Sequence, residues 1–175
     1  VPHFITGARL LVKAASPIDR LEDLQGKTLA STKGTTPLKA AVQANRERLM
    51  GIQIVEVPDH ARGVEMVEKG EAEAFLMDDV LLYGLAASRP DPKALKVVGR
   101  FVTTEPLAIM LPKNDPQFKQ LVDEEMKRLI RSGEAHAVYD RWFSQPIPPA
   151  NKSLNLPMNY LLKDFWKYPT DQVPG

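Results

Sequence analysis

Residues 24–37 of this chain read LQGKTLASTKGTTP. An apolar, strand-like run from Lys27 to Ser31 leads into a loop of hydroxyl residues around Gly34, and the loop opens a helix. We place the N-cap of this helix at Thr36, because threonine caps helices well and Pro37 suits the first helical position. A strand that leads directly into a helix is typical of βαβ units, so this stretch predicts an α/β protein.

The same alternation continues on both sides of this stretch. Helical patterns at 17–24, 37–49, 61–69 and 80–88 separate strand-like runs at 8–13, 27–31, 52–57, 74–77, 95–98 and 107–111. Gly51 is expected to end the helix that begins at Pro37. This order predicts a mostly parallel sheet with flanking helices.

Beyond Lys113 the pattern changes to helices without strands. A helix is expected to start at Asp115-Pro116 and to break at Ser132-Gly133, and further helical stripes follow at 135–143 and within 154–168. The wide apolar faces of these helices need a sheet, and no strand-like run follows Leu111. Either they pack on the sheet formed by the first part of the chain, or part of their own sheet lies outside this sequence.

Composition narrows the possible functions. The chain has 175 residues, 43% of them apolar and 26% charged, which is a globular balance. The net charge is only +1 and the basic residues are interspersed with acids, so nucleic acid is not an expected partner. Cysteine is absent, which excludes disulfides and thiolate metal sites, and the three histidines lie far apart in sequence. We therefore expect no metal and no cofactor.

The start of the chain carries no targeting pattern. Residues 1–4 read VPHF, without an initiator methionine or a signal-peptide pattern, and no window approaches the length of an apolar membrane helix. We expect that a segment before Val1, such as a signal peptide, has been removed.

The loop at 32–36 is a candidate anion site. The N-terminus of a helix leaves backbone N–H groups unpaired and carries partial positive charge, and threonine hydroxyls and Lys33 add donors. The spacing matches neither a Walker loop nor the three-glycine dinucleotide pattern. A carboxylate or a phosphate would fit this loop. Ordinary capping by Thr36, without any ligand, is the alternative interpretation.

Two further candidates follow buried strands. Asp78 and Asp79 come directly after the run at 74–77, and His60 follows the run at 52–57. Ligands of open α/β sheets bind at this end of the strands, where Asp78 would suit an ammonium group and His60 could donate to a carboxylate. Alternatively, these residues only cap the helices that follow. No Ser-His-Asp set or Gly-x-Ser-x-Gly elbow is evident, so nucleophilic catalysis lacks candidates.

Six patterns occur in one order: LxGK at 24–27, TxGTT at 32–36, DH at 59–60, GxAxAFxMDD at 70–79, KxDPxF at 113–118 and WFxxPIPP at 142–149. Together they cover nearly the whole chain. In this combination the sequence resembles the periplasmic solute-binding proteins of amino-acid ABC importers, and within them the glutamate/aspartate-binding group.

The resemblance implies a fold of two α/β lobes that are joined by two crossing strands and clamp an amino acid between them. Residues 1–104 would form the second lobe of this type II binding-protein fold, with the first crossing strand. Residues 105–175 would provide the second crossing strand and the C-terminal helices of the first lobe. The N-terminal part of the first lobe is not in this sequence, which would explain helices without a sheet.

The resemblance also implies roles for single residues. Thr32, Gly34, Thr35 and Thr36 match the loop that contacts a ligand carboxylate, and His60 matches a residue that helps to hold a carboxylate in the acidic-amino-acid group. Asp78 matches the acceptor of the ligand α-ammonium group. Arg9, after the first crossing strand, is a further ligand contact.

The resemblance implies that the protein binds glutamate or aspartate in the periplasm and presents it to the permease of an ABC transporter, without chemical turnover. An enzyme of the cyclohexadienyl or arogenate dehydratase type, on the same fold, is one alternative. The ligand-sensing module of a receptor is another. We expect this chain by itself to bind ligand weakly or not at all, and its exposed helix faces to cause self-association.

Overall fold

The computed structural model describes residues 1–172 of the chain, which form two compact units. The sheet unit is Gly7–Thr104. The helical unit combines Val1–Thr6 with residues 105–172.

The sheet unit is built on a five-stranded sheet. Its strands are β2 (Ala8–Lys13), β3 (Thr28–Thr32), β4 (Gln53–Val57), β5 (Ala74–Asp78) and β6 (Leu95–Val98). They lie side by side in the order β4-β3-β5-β2-β6. β3 pairs in parallel with β4 and β5, whereas β2 is antiparallel to β5 and β6. Four strands therefore run in one direction and β2 runs against them, which confirms the predicted α/β class with a mostly parallel sheet.

Helices cover both faces of this sheet. They are α1 (Thr36–Glu47), α2 (His60–Glu68) and α3 (Asp79–Ala87). Successive residues of a strand point to opposite faces, so Leu10 and Leu76 belong to one apolar cluster while Leu11 and Phe75 belong to the other. Burial on both faces explains why the central strands β2 and β5 read as nearly continuous apolar runs.

Three local predictions for the sheet unit are wrong. The N-cap of α1 is Thr35, not Thr36, and Pro37 is the second helical residue. The helix ends at Glu47, and a left-handed residue, Leu49 (φ 49°), turns the chain before Gly51. The helix predicted for 17–24 is only a single 3₁₀ turn at Leu21–Leu24.

The helical unit contains a two-stranded antiparallel sheet and three helices. β1 (Phe4–Thr6) pairs with β7 (Glu105–Leu107). The helices are α4 (Pro116–Ser132), α5 (Glu134–Phe143) and α6 (Tyr160–Lys167). The strand predicted at 107–111 is wrong, because pairing ends at Leu107. The break between α4 and α5 is confirmed at Gly133, which is left-handed with φ 85°.

The apolar side chains of the helical unit are only partly buried. Phe4 of β1 stacks on Phe143, with ring centroids 5.0 Å apart, and Trp166 of α6 is buried. By contrast, Leu121 of α4 is 63% exposed and Val138 of α5 is 58% exposed. The helices predicted from these apolar patterns are therefore present, but part of each apolar helix face is exposed to solvent.

Candidate functional site

The sheet unit holds all seven predicted site residues, and it brings them to one edge of the sheet. The carboxyl ends of β3 and β5 meet there, as do the first turns of α1 and α2. The amino end of β2 lies at the same edge because β2 runs against its neighbours. The seven residues are Arg9, Thr32, Gly34, Thr35, Thr36, His60 and Asp78.

The loop between β3 and α1 turns tightly around Gly34, which is left-handed with φ 78°. The hydroxyl of Thr35 donates to the carbonyl of Thr32 at 2.7 Å and accepts from the backbone N–H of Leu38 at 3.4 Å. Thr36 is exposed in the first turn of α1. The loop therefore aims the N-terminus of α1, with its partial positive charge, at this edge of the sheet.

His60 is the first residue of α2, but it does not cap that helix. The cap is Asp59, whose carboxylate accepts from the backbone N–H of Arg62 at 2.8 Å. His60 Nδ1 instead lies 2.7 Å from the hydroxyl oxygen of Thr32, which is buried at the end of β3. The capping alternative is wrong for His60, and the imidazole is held at the same edge as the threonine loop.

Asp78 ends β5 and occupies the N-cap position of α3, yet its side chain forms no capping hydrogen bond. The neighbouring Asp79 is buried, and its carboxylate accepts from the backbone N–H of Val80 at 2.7 Å. Asp79 also donates its own N–H to the carbonyl of Gly7 at 2.9 Å. Asp79 thus serves the start of the helix, while Asp78 places a carboxylate at the end of the strand.

Arg9 lies at this edge but on a different face from Asp78. In the β2–β5 register Ala8 pairs with Asp78 and Arg9 pairs with Met77, so the two side chains alternate. Arg9 Nε donates to the carbonyl of Gly99 at 2.8 Å, and Nη1 lies 3.5 Å from the hydroxyl of Tyr83 in α3. The guanidinium group is engaged with the α3 side of the sheet.

The arrangement offers opposite polarities on adjacent strands. Thr32, His60 and the N-terminus of α1 lie at the end of β3, and Asp78 provides a carboxylate at the end of β5. The two strands are neighbours in the sheet, and the backbones of neighbouring strands lie about 5 Å apart. Such an edge can hold a zwitterion with its carboxylate at the donors and its ammonium at Asp78. Within residues 1–172 no group of three or more histidine, aspartate or glutamate side chains could hold a metal ion.

Sequence reasoning missed the bond between His60 and Thr32. The two residues are 28 positions apart, and nothing in their local patterns connects them. The parallel pairing of β3 with β4 brings them together, because Thr32 pairs with Val57, three residues before His60. Predicting that register would have been the only signal.

The chain is similar in sequence to known proteins over nearly its whole length. No protein-family model matches the chain. It is 38% identical to the glutamate/aspartate import solute-binding protein of Salmonella typhimurium and 40% identical to the L-glutamate/L-aspartate-binding protein of Pseudomonas aeruginosa. Both matches cover 97% of this chain and 56% of the relative. The chain is homologous to the glutamate/aspartate import solute-binding proteins.

Solved structures of other proteins have a fold similar to that of this chain. A probable amino-acid ABC transporter extracellular-binding protein of Bacillus subtilis has a TM-score of 0.73 over 81% of this chain and 61% of its own, at 17% identity. The GluR0 ligand-binding core of Nostoc punctiforme, solved with L-glutamate, has a TM-score of 0.60 at 28% identity, over 82% of this chain and 63% of its own. The chain thus spans roughly three fifths of these proteins.

Proposed function

We propose that this chain carries the acidic-amino-acid contacts of a solute-binding protein that captures glutamate or aspartate in the periplasm and delivers it to the permease of an ABC importer. The chain spans 56% of the curated relatives on which this proposal draws. The activity therefore belongs to the full-length protein that contains this sequence.

The observation that carries the proposal is the meeting of Thr32, Thr35, His60 and Asp78 at one edge of the sheet. Asp78 accepts the ligand ammonium group. The N-terminus of α1 and the Thr32–His60 pair receive a carboxylate. Gly34 and Thr36 contribute backbone to the same loop, and Arg9 acts from the α3 side as a further contact.

The same groups explain a preference for acidic side chains. A neutral or cationic side chain would leave the donor that the hydrogen-bonded Thr32–His60 pair presents without an acceptor in a closed, water-poor cleft. An unsatisfied buried donor costs about 1–3 kcal/mol, which corresponds to roughly tenfold or more in affinity.

The ligand-sensing module of a receptor is the second candidate. It is favoured by the 28% identity to the GluR0 core, whose structure holds L-glutamate. The 37–40% identity to import proteins favours transport. Within residues 1–172 no helix is both long and apolar enough to span a bilayer.

Catalysis receives no support of this kind. The relatives bear the names of binding proteins, and the dehydratase alternative has no counterpart among them. Asp59, the carboxylate next to His60 in the sequence, accepts from the backbone N–H of Arg62 and caps α2. We propose binding without turnover.

Calorimetry on the full-length protein tests the proposal. Glutamate and aspartate are titrated beside glutamine and arginine, and the acidic ligands are expected to bind at least about tenfold more tightly. Asp78→Asn should weaken glutamate binding roughly 30-fold or more, because the ligand ammonium loses its charged partner. Asp91→Asn, a change at an exposed loop carboxylate, is the matched control and should leave affinity unchanged. Tighter binding of arginine than of glutamate would refute the acidic preference.

A further inference from the structure

Gly63, in the middle of α2, is a point of very close approach between helix and sheet. A Cβ atom at this position would lie 2.4 Å from Cε2 of Phe75 and 2.5 Å from its Cδ2. These distances are about 1 Å shorter than the ~3.5 Å at which carbon atoms pack. The absence of a side chain at Gly63 therefore lets α2 sit directly on the Phe75 ring.

The Phe75 ring is enclosed by other buried side chains. It is fully buried in β5, and its cluster includes Leu11 and Ala30, which are also fully buried. Cores packed at this density answer an added methyl group by moving a neighbouring element. We expect α2 to move, because β5 is held by strand pairing with β3 on one side and β2 on the other.

The same ring also supports His60. His60 lies one helical turn before Gly63 and therefore shares its face of α2. The imidazole and the Phe75 ring are tilted at 46° with centroids 6.3 Å apart, and Nδ1 reaches the hydroxyl of Thr32 at 2.7 Å. The chain of contacts runs from Gly63 to Phe75, to His60 and finally to Thr32.

We propose that Gly63 and Phe75 are positioning residues that set the height of α2 above the sheet and thereby hold His60 Nδ1 against the Thr32 hydroxyl. The bond fixes Nδ1 and leaves Nε2 as the other polar atom of the ring. Residues without a ligand contact thus determine how the imidazole is presented. That the positioned imidazole serves the binding of acidic amino acids rests on the proposed function. The positioning of His60 by Gly63 and Phe75 does not.

The test is imidazole ¹⁵N NMR of the ligand-free, histidine-labelled 175-residue chain. The chain has three histidines, and His60→Asn assigns the signal of interest. In the parent chain His60 should show the separated ring signals of a single tautomer. In Gly63→Ala the signals should move toward the averaged positions of a histidine without a fixed partner, because a shift of about 1 Å breaks a 2.7 Å bond.

A compensating change separates positioning from a general loss of stability. Phe75→Leu alone should also loosen His60, because it removes the aromatic ring that contacts the imidazole. The double variant Gly63→Ala/Phe75→Leu should lie closer to the parent spectrum than either single variant, since the smaller side chain makes room for the new methyl group. If Gly63→Ala does not fold, Phe75→Leu and the double variant still decide the matter.

Val64→Ala is the matched control. Val64 is the next residue of α2 and is buried in the same cluster, so its truncation lowers stability without pushing the helix outward. It should leave the His60 signals in place. The proposal is overturned if Gly63→Ala leaves a folded chain with the parent His60 spectrum, if Val64→Ala shifts the signals equally, or if the double variant gives no recovery.

Glutamate calorimetry on the full-length Gly63→Ala protein provides a separate readout. If the NMR signals change as expected and glutamate does not bind the parent protein, positioning stands and the proposed function fails. If glutamate binds the parent and the variant equally well while the NMR signals change, the acidic-ligand role of the Thr32–His60 bond is overturned.

Discussion

The hydroxyl of Thr35 holds the first turn of α1 in place. It donates to the carbonyl of Thr32 and accepts from the backbone N–H of Leu38, so a single side chain joins the end of β3 to the helix. Thr35→Ala should lower the free energy of unfolding by about 1 kcal/mol, as is usual when a threonine cap is lost. Urea titration followed by circular dichroism measures the effect.

Thr36→Ala is the natural control for that variant. Thr36 is exposed and already helical, where alanine is at least as favourable as threonine. Its replacement should change the free energy of unfolding by less than about 0.5 kcal/mol. Equal losses for the two variants would contradict the assignment of the cap to Thr35.

His3 should make the chain sensitive to mild acid. Its pKa lies below the usual 6.5, first because burial disfavours the charged ring and second because the N-terminal ammonium repels it. Nδ1 of this ring is buried and has no hydrogen-bond partner within residues 1–172. Below pH 6.5 the unfolded chain binds a proton at His3 that the folded chain resists binding, so the free energy of unfolding falls as the pH drops toward the lowered pKa.

The measurement compares urea midpoints at several pH values between about 7.5 and 5. The parent chain should lose stability through this range, and His3→Asn should lose less because it cannot take up the proton. An identical pH slope for the two chains would show that His3 does not contribute.

At the residue scale, the sequence predicted which side chains gather but not how they bond. The sequence favoured Thr36 over Thr35 as the cap because proline is commonest at the first helical position, but proline is tolerated anywhere in the first turn. Only the extended backbone at Thr35 (φ −101°, ψ 155°) decides between the two. The placement of Asp78 and His60 at strand ends could be predicted, since it follows from the order of strands and helices.

Between elements, Asn45 connects α1 to the start of β4. Its amide nitrogen donates to the carbonyl of Ile52, and its amide oxygen accepts from the N–H of the same residue, both at 2.9 Å. Asn45→Ala leaves two backbone groups of the buried Ile52 without these partners, and it should lower the free energy of unfolding by about 2 kcal/mol.

Gln43→Ala provides a comparison on the same helix. Gln43 is exposed, and its side chain donates to the carboxylate of Glu47 one turn later. Its loss should cost less than about 0.5 kcal/mol in the same urea titration. If Asn45→Ala is as mild as Gln43→Ala, the double hydrogen bond to Ile52 does not hold β4 to the helix.

The sequence predicted the strands that are buried on both faces of the sheet, and it missed the short strands that pair over only three residues. The central strands β2, β3 and β5 are buried on both faces, and the apolar runs within them could be recognised in the sequence. β1 and β7 have only three residues each, too few for a pattern. The apolar run at 107–111 indicated a strand, but Ile109 is 52% exposed and Met110 is 96% exposed. These two side chains are therefore largely in contact with solvent.

Across the whole molecule, exposed apolar side chains concentrate in the helical unit. Phe118 and Leu121 lie three residues apart on α4, and Val138 and Trp142 lie four residues apart on α5. Their exposed fractions range from 42% to 63%. Residues three or four apart share one face of a helix, so each pair forms an apolar stripe in contact with water. Apolar patches of this kind favour association between protein molecules.

We therefore predict that the 175-residue chain self-associates. Sedimentation velocity between about 1 and 100 μM should show the weight-average mass rising with concentration. Leu121→Glu and Val138→Glu should each shift the distribution toward monomer, because a carboxylate would have to be buried in the contact. Gln120→Glu adds the same charge at an exposed position of α4 and should leave association unchanged. A parent chain that sediments as a monomer throughout this range would refute the prediction, and an equal effect of Gln120→Glu would assign the association to net charge rather than to the apolar stripes.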